Sequence, residues 1–332
     1  MNKKFNCFEV SESNGIFSGS ICKKNTSDLP DHDTLVKVEY SGLNYKDALS
    51  ANGNRGVTRK YPHTPGIDAA GTIVESSSTI FKSGDEVLVT SYDLGMNTPG
   101  GFGEYIRVPS EWIVKLPNEL SLKDSMALGT AGMTAAQGIF EMIHNGQSPD
   151  KGPILVTGAR GAVGSMAIMI LSKLGFEVIA GVSKISDDTN YLQSLGASVV
   201  VDSSETNDTS GKPLLKPRWA GAFDVIGGNT LATILKSTSN GGNVVCVGNI
   251  QGADLNTTVF PFILNGIKLI GVGTQDTEMS FRTKLWELLS NEWKPENLDS
   301  VVTEISIHQL SAYLSIMFDK KSRGRVLLHH DL

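Results

Sequence analysis

The 332-residue chain is poor in cysteine: Cys7, Cys22 and Cys246 are too few and too scattered for a disulfide framework or a four-thiolate zinc site. Such usage fits a reducing cytoplasm, the compartment expected here. Basic residues are not in excess either. Against 35 Asp plus Glu stand 29 Lys plus Arg, a formal charge of −6, which argues against a general nucleic-acid or membrane-surface binder while leaving room for a local anion site. No apolar run approaches the ~20 residues that cross a bilayer. The N-terminal MNKKFNCFEV soon turns polar, so neither an export signal nor a membrane span is expected. The histidines, His32, His63, His144, His308, His329 and His330, pair with no cysteine at short spacing, and no GxSxG or HExxH string occurs. No metal is expected, and His329-His330 reads as a solvated strand end.

What the chain does have is glycine, 35 residues of it, where usual composition would give roughly 23. No Gly-X-Y period exists, and 40% apolar against 19% charged residues excludes a disordered chain. The surplus therefore belongs to turns and ligand approaches, in a chain long enough for about two domains.

The first ~125 residues carry short β-rich segments, TLVKVEYSG (34–42), GIDAAGTIVES (66–76), DEVLVTS (85–91) and GEYIRVP (103–109), broken by Gly, Pro and Asp. Apolar residues then recur at helical spacing from Ser121 to Asn145, with Ser121 and Asp124 placed as a capping box. From Pro153 a regular alternation begins: PILVTG, a helix, FEVIAGV, a helix around NYLQSLG, SVVVD, AFDVIGG, a helix, GNVVCVG and KLIGVG. Strands without polar alternation between amphipathic helices imply a parallel sheet covered on both faces, an α/β doubly wound fold. Six strands complete that sheet by Gly273, so the tail, with helix MSFRTKLWELLSNEW and strand GRVLLHH, is expected to rejoin the first domain. The expected division is 1–125 with 275–332, and 126–274. Segment 203–218, rich in Ser, Thr, Asp and Lys, reads as a solvated connection.

The strongest local motif is Gly158-Ala159-Arg160-Gly161-Ala162-Val163-Gly164, which follows a buried strand and opens a helix. Gly158 permits the tight turn, Gly161 lets backbone approach a pyrophosphate, and Gly164 lets the helix pack on the sheet; the spacing is GxxGxxG rather than GxGxxG. The helix N-terminus, including Ala162 and Val163, supplies N–H donors and a favourable dipole. The second strand ends in Val182-Ser183-Lys184, with no acid before Asp187. A hydroxyl and an ammonium suit a 2′-phosphate, which favours NADP(H) over NAD(H). Arg160 could add a cation or stack on adenine. With metal and nucleophile motifs missing, hydride transfer by a nicotinamide remains.

Taken together, SGLNYKDAL (41–49), YPHTPGIDAAGTI (61–73), GGFGEYIRVP, LGTAGMTAA (128–136), VTGARGAVG, WAGAFDVIGG (219–228), TTVFPFILNGIKLIGV and RGRVLL resemble the zinc-free medium-chain dehydrogenase/reductase superfamily. The likeness is to its YhdH/YhfP-type quinone oxidoreductase and acrylyl-CoA reductase group. It implies a GroES-like catalytic domain, formed by the N-terminal part and the tail, around a Rossmann NADP-binding domain with the active site in the cleft. It also implies that Asn44, Tyr45 and Asp47 line nicotinamide and substrate. Reduction of an α,β-unsaturated thioester needs hydride at Cβ, a stabilised enolate oxygen and a proton at Cα. Asn44 or a nearby N–H could bind the oxygen, Tyr45 could give the proton, and Asp47 could orient the pair or merely cap helix KDALSAN.

The resemblance further places Thr134 near the nicotinamide ribose, and Asn249, Ile250, Gly273 and Thr274 near the nicotinamide amide, although NIQGAD departs from the Gly-Leu-rich sequence of relatives. The cluster Arg55, Arg59 and Lys60 could hold the phosphates of a coenzyme A tail or be a solvated loop, and Arg323 and Arg325 could serve either role. Relatives pair the last Rossmann strand, so KLIGVG would be the edge of a homodimer. The leading expectation is NADPH-dependent reduction of acrylyl-CoA. Reduction of quinones or enones, or non-catalytic NADPH binding of the crystallin or RNA-binding kind, are the alternatives.

Overall fold

The computed structural model describes residues 2–185 and 188–332; Asp187 lies outside them. Contacts divide the chain into Met1–Thr130 with Gln275–Asn291 and Glu296–Leu332, and Ala131–Thr274 with Glu292–Pro295.

The first unit opens with a hairpin absent from the reading above, β1 (Lys4–Ser13) and β2 (Ile16–Asn25), paired in regular antiparallel register. Asn14 and Gly15 turn it with φ of 51° and 77°, the left-handed pair that matches strand twist in a two-residue loop. Then come β3 (Thr34–Gly42), α1 (Tyr45–Ala51), β4 (Asp68–Ser76), β5 (Glu86–Thr90), β6 (Tyr105–Val108) and β7 (Ile113–Lys115). Inward residues of β3, β4 and β5, among them Val36, Val38, Ile73 and Val89, bury a core with Leu94 and Ile106.

The helical segment α2 (Leu122–His144) is two helices meeting at Gly129, whose φ of 50° and ψ of −155° lie outside helical geometry. Ser121 Oγ accepts from the Asp124 N–H at 3.0 Å and so caps its start.

The second unit is the expected alternation: β8 (Ile154–Thr157), α3 (Ala162–Lys173), β9 (Val178–Val182), α4 (Asp188–Ser194), β10 (Val199–Asp202), β11 (Trp219–Asp224), α5 (Gly228–Ser237), β12 (Thr238–Cys246), α6 (Phe260–Asn265) and β13 (Lys268–Gly271). The six strands are all parallel in the order β10-β9-β8-β11-β12-β13, so neighbours reverse direction of winding between β8 and β11, where ligands bind in such sheets. Leu155, Trp219, Ala222, Ile234, Leu235 and Val244 form the core under α5.

The tail rejoins the first unit through α7 (Met279–Ser290), β14 (Val302–Ile305), α8 (Leu310–Phe318) and β15 (Arg325–His329). There β14-β15-β3-β4-β5-β7 make one sheet, and Leu310, Leu314 and Met317 of α8 pack with Phe8, Val10 and Ala48. Two readings of this tail need correction. His330 is no solvated strand end: its Nε2 lies 2.9 Å from Gly101 O, burial depresses its pKa, and His329 stacks on Tyr40 at 4.3 Å. Arg325 is neither a loop cation nor an anion site, because it is fully buried.

Candidate functional site

In the first unit the NYKD segment is built on a buried polar network. Asn44 caps α1, its N–H donating to Asp47 Oδ2 at 2.7 Å. The other oxygen, Asp47 Oδ1, accepts from the Gly66 and Ile67 N–H groups at 3.1 and 2.9 Å, so one carboxylate fastens the helix start to the loop before β4. Burial pushes Asp47 up to about 7, with Asp68 adding to the rise and these backbone donors opposing it. Asp47 is fully buried, which leaves it the capping and orienting role weighed from the sequence rather than contact with a ligand.

Asn44 is likewise spent inside the protein. Its Nδ2 donates to Gly42 O at 3.0 Å and Asp68 Oδ2 at 2.8 Å, and its Oδ1 accepts from Arg325 Nη1 at 3.3 Å. With both amide hydrogens committed, the side chain has none left for an enolate oxygen, which corrects that part of the expectation. Arg325 donates four hydrogen bonds, to Ala127 O, Met126 O, Leu43 O and Asn44 Oδ1, and its Nη2 ion-pairs with Asp68 Oδ2 at 3.5 Å. Asp68 also accepts from the Thr130 N–H at 2.9 Å and its hydroxyl at 2.5 Å. A buried charge pair held by this many hydrogen bonds is costly to break and so rigidifies whatever it supports.

That support holds two residues at the start of α1. Tyr45 is 41% exposed. Lys46, not singled out above, donates from Nζ to Gln275 Oε1 at 2.9 Å and lies 3.8 Å from Met96 Sδ; burial lowers its pKa, against the field of Asp47, Asp276 and Asp68. The signal that could have found it is its position inside the motif, between the exposed tyrosine and the buried aspartate.

Of the three cations in the 54–60 loop, Arg55 is already engaged. It ion-pairs with Glu12, donates to Arg59 O at 2.9 Å, and lies over the rings of Phe17 and Tyr61 at 5.6 and 5.1 Å. Arg59 and Lys60 are exposed.

In the second unit, Gly158 turns the chain at φ +58°. A Cβ on Gly164 would sit 2.3 Å from Gly158 O, whereas one on Gly161 would meet only Gly158 O at 3.3 Å. Gly164 is thus required by helix packing, and Gly161, the N-cap of α3, supplies no side-chain cap to the first-turn N–H groups of Ala162, Val163 and Gly164. Those donors and the dipole behind them fit a dinucleotide pyrophosphate. Beside the turn, Thr157 Oγ1 donates to Asp224 Oδ1 at 2.6 Å while Asp224 Oδ2 accepts from the Gly227 N–H at 2.7 Å, locking the ends of β8 and β11 together. Arg160 shares its charge with Asp188 at 3.2 Å. Ser183 and Lys184 are exposed at the end of β9. Asp202 pairs with Val182 in register on the next strand, but its carboxylate accepts from the Ser204 N–H at 3.0 Å as a turn cap. Thr134 and Thr274 meet, Oγ1 to Oγ1, at 3.2 Å, and Asn249 and Ile250 are exposed beyond β12.

Family descriptions match both parts: "Alcohol dehydrogenase GroES-like domain" over residues 30–118 and "Zinc-binding dehydrogenase" over 162–291. Acrylyl-CoA reductase AcuI of Ruegeria pomeroyi is 37% identical over 317 residues, 96% of each chain. The chain belongs to the medium-chain dehydrogenase/reductase superfamily, in its YhdH/YhfP group. YhfP of Bacillus subtilis is 42% identical over 305 residues, 92% of each chain, and its crystal structure with NAD bound superposes with a TM-score of 0.96 over 99% of this chain and 100% of that one. The yhdH oxidoreductase of Salmonella enterica, crystallised with NADP, is 36% identical with a TM-score of 0.95, over 98% and 99%.

As a member of this superfamily the protein is an oxidoreductase with a GroES-like domain and a Rossmann-type six-stranded sheet. The zinc of the matched description has no ligand set here: among the described residues no three His, Cys, Asp or Glu side chains are grouped to hold a metal ion. Among those residues, too, no helix is long and apolar enough to cross a membrane.

Proposed function

We propose that the protein is an NADPH-dependent reductase of activated C=C bonds, with acrylyl-CoA as substrate and propionyl-CoA as product. The observation that carries the reading is an exposed tyrosine mounted on a frame of buried, hydrogen-bonded Asp47, Asp68 and Arg325, in a chain whose other unit has Gly161 at the N-cap of α3. When bound, the nicotinamide supplies the hydride that goes to the β-carbon. Gly158, Gly161, Ala162, Val163 and Gly164 bind the pyrophosphate through backbone. Ser183 and Lys184 take the 2′-phosphate, and Arg160 flanks the adenine with its charge tempered by Asp188. Thr134, Thr274, Gly273, Asn249 and Ile250 face the nicotinamide end.

Tyr45 delivers the proton to Cα, and the adjacent Lys46 ammonium steadies the charge that develops on the thioester oxygen. Asn44 and Asp47 act as positioning residues that fix the Tyr45 backbone. Arg59 and Lys60, with Arg55 held on Phe17 and Tyr61, attract the phosphates of the coenzyme A tail. That two relatives carry acrylyl-CoA reductase names and a crystal structure with NADP exists in the group supports this assignment. The second reading, reduction of quinones or enones, draws on the quinone oxidoreductase name of YhfP. A homodimer through β13 is part of the proposal: Leu269 on that edge and Val259, Ile263 and Leu264 beside it are 37%, 62%, 67% and 60% exposed.

The test is a screen of NADPH oxidation over acrylyl-CoA, crotonyl-CoA, free enones and quinones. The proposal expects the highest kcat/KM with acrylyl-CoA; a quinone outperforming it, with no acyl-CoA turnover, would assign the second reading.

A further inference from the structure

The N-terminal hairpin holds two of the three cysteines, which the proposed mechanism does not use, directly opposite one another. Cys7 on β1 and Cys22 on β2 are register partners, and their sulfurs are 3.2 Å apart. The register and the sulfur–sulfur approach put a covalent link within reach. Asn6 O and Phe8 N bond outward, to Glu104 and Phe102, so by the alternation of an antiparallel ladder the Cys7 N–H and C=O point at Cys22. Opposed residues of that kind have Cα atoms about 5.5 Å apart, inside the 4.4–6.8 Å that a disulfide spans. Their surroundings differ, which sets an order of events. Cys7 is 1% exposed in a cluster with Phe5, Leu35 and Tyr105, whereas Cys22 packs on the edge of that cluster only partly covered, its Sγ 3.8 Å from Glu9 Oε1.

We infer that Cys7 and Cys22 form a thiol pair that converts to an intramolecular disulfide on meeting a low-molecular-weight disulfide, stapling β1 to β2. The Cys22 thiolate attacks one sulfur of the oxidant RSSR, the S–S bond breaks, and one RSH leaves carrying the proton released from Cys22. Cys7 then attacks Cys22 Sγ, the mixed disulfide breaks, and a second RSH leaves with the proton of Cys7. Two protein thiols are oxidised to one disulfide and one RSSR is reduced to two RSH. Desolvation at Cys7 holds its thiol up at about 12, so Cys22 is the entry point and Cys7 the resolving group.

The staple lies at the base of a hairpin whose far half grips the cationic loop: Glu12 pairs with Arg55, and Phe17 packs edge-on against Tyr61 at 4.9 Å. Oxidation therefore restrains the wall on which that loop rests.

The experiment exposes the full-length protein to oxidised glutathione, then unfolds it and counts thiols, with intact mass and peptide mapping alongside. Expected are a fall from three titratable thiols to one, a mass lower by two hydrogens, a Cys7–Cys22 linked peptide, and slower amide exchange in β1 and β2. The Cys7→Ser variant is expected to stop at a glutathione adduct on Cys22, and Cys22→Ser to keep both its thiols. Three thiols remaining, a persistent Cys22 adduct in the unaltered protein, or an intermolecular link through Cys22 would each overturn the inference.

Discussion

Asp47 shows how a single buried side chain can carry a local fold and leave a pH signature. Its carboxyl titrates near 4 in an unfolded chain and at about 7 when buried here. The native state therefore binds this proton more tightly than the unfolded one. The resulting stabilisation is fully present below about pH 4 and lost as pH rises through about 7, by at most about 4 kcal/mol. Urea unfolding between pH 5 and 8 should show this decline, and Asp47→Asn should flatten it while lowering stability by about 1–3 kcal/mol, since an amide cannot accept all three backbone hydrogens. A slope unchanged in the variant would remove Asp47 as its source. At Tyr45, Phe should lower kcat about a hundredfold or more, the usual worth of a placed acid, with cofactor affinity kept; near-normal turnover would shift the proton to Lys46. The NYKD string stood out in the sequence as a candidate site, but the hydrogen bonding within it did not. Nothing in the local sequence says that Arg325 returns from the far end of the chain to occupy Asn44, because that contact is made only by the folded sheet, where β15 lies beside β3.

Among the elements, two glycines mark where backbone geometry decides. Gly129 breaks α2 at φ 50°, and a Cβ there would stand 2.5 Å from both Asp68 Oδ2 and Arg325 Nη2. Gly129→Ala should cost about 1–3 kcal/mol in thermal or urea unfolding, from the φ strain and the disturbed ion pair. Gly164→Val should instead abolish NADPH binding, read by fluorescence titration, because its Cβ meets the backbone oxygen of Gly158 rather than a movable side chain. The helix break was hidden because the apolar period runs through Gly129 without interruption, whereas the Gly158–Gly164 strand-to-helix turn was legible because strand, glycines and helix follow one another within one short stretch. The β1–β2 hairpin was missed although Asn14-Gly15 is a turn signal. Polar residues on both faces of β2 blur the alternation that marks a strand, its burial being mostly exposed along IFSGSICKKN.

At the scale of the molecule, alternating β and α segments were enough to give the parallel sheet and its six strands, since each follows from local periodicity and connection rules. The proposed cofactor contacts and the proposed dimer both rest on exposed groups. Lys184→Ala should raise KM for NADPH about tenfold, roughly 1.4 kcal/mol, and leave NADH unaffected. Ile263→Glu with Leu269→Glu should shift the sedimentation of the protein from dimer to monomer. The central claim is hydride delivery to the β-carbon of an acyl-CoA alkene, and isotope tracing tests it most directly: acrylyl-CoA turned over with NADPH deuterated at the transferred position, the product read by mass spectrometry and NMR. Propionyl-CoA carrying one deuterium, at its β-carbon, is the predicted result; no labelled propionyl-CoA, or label at the α-carbon, would contradict the account.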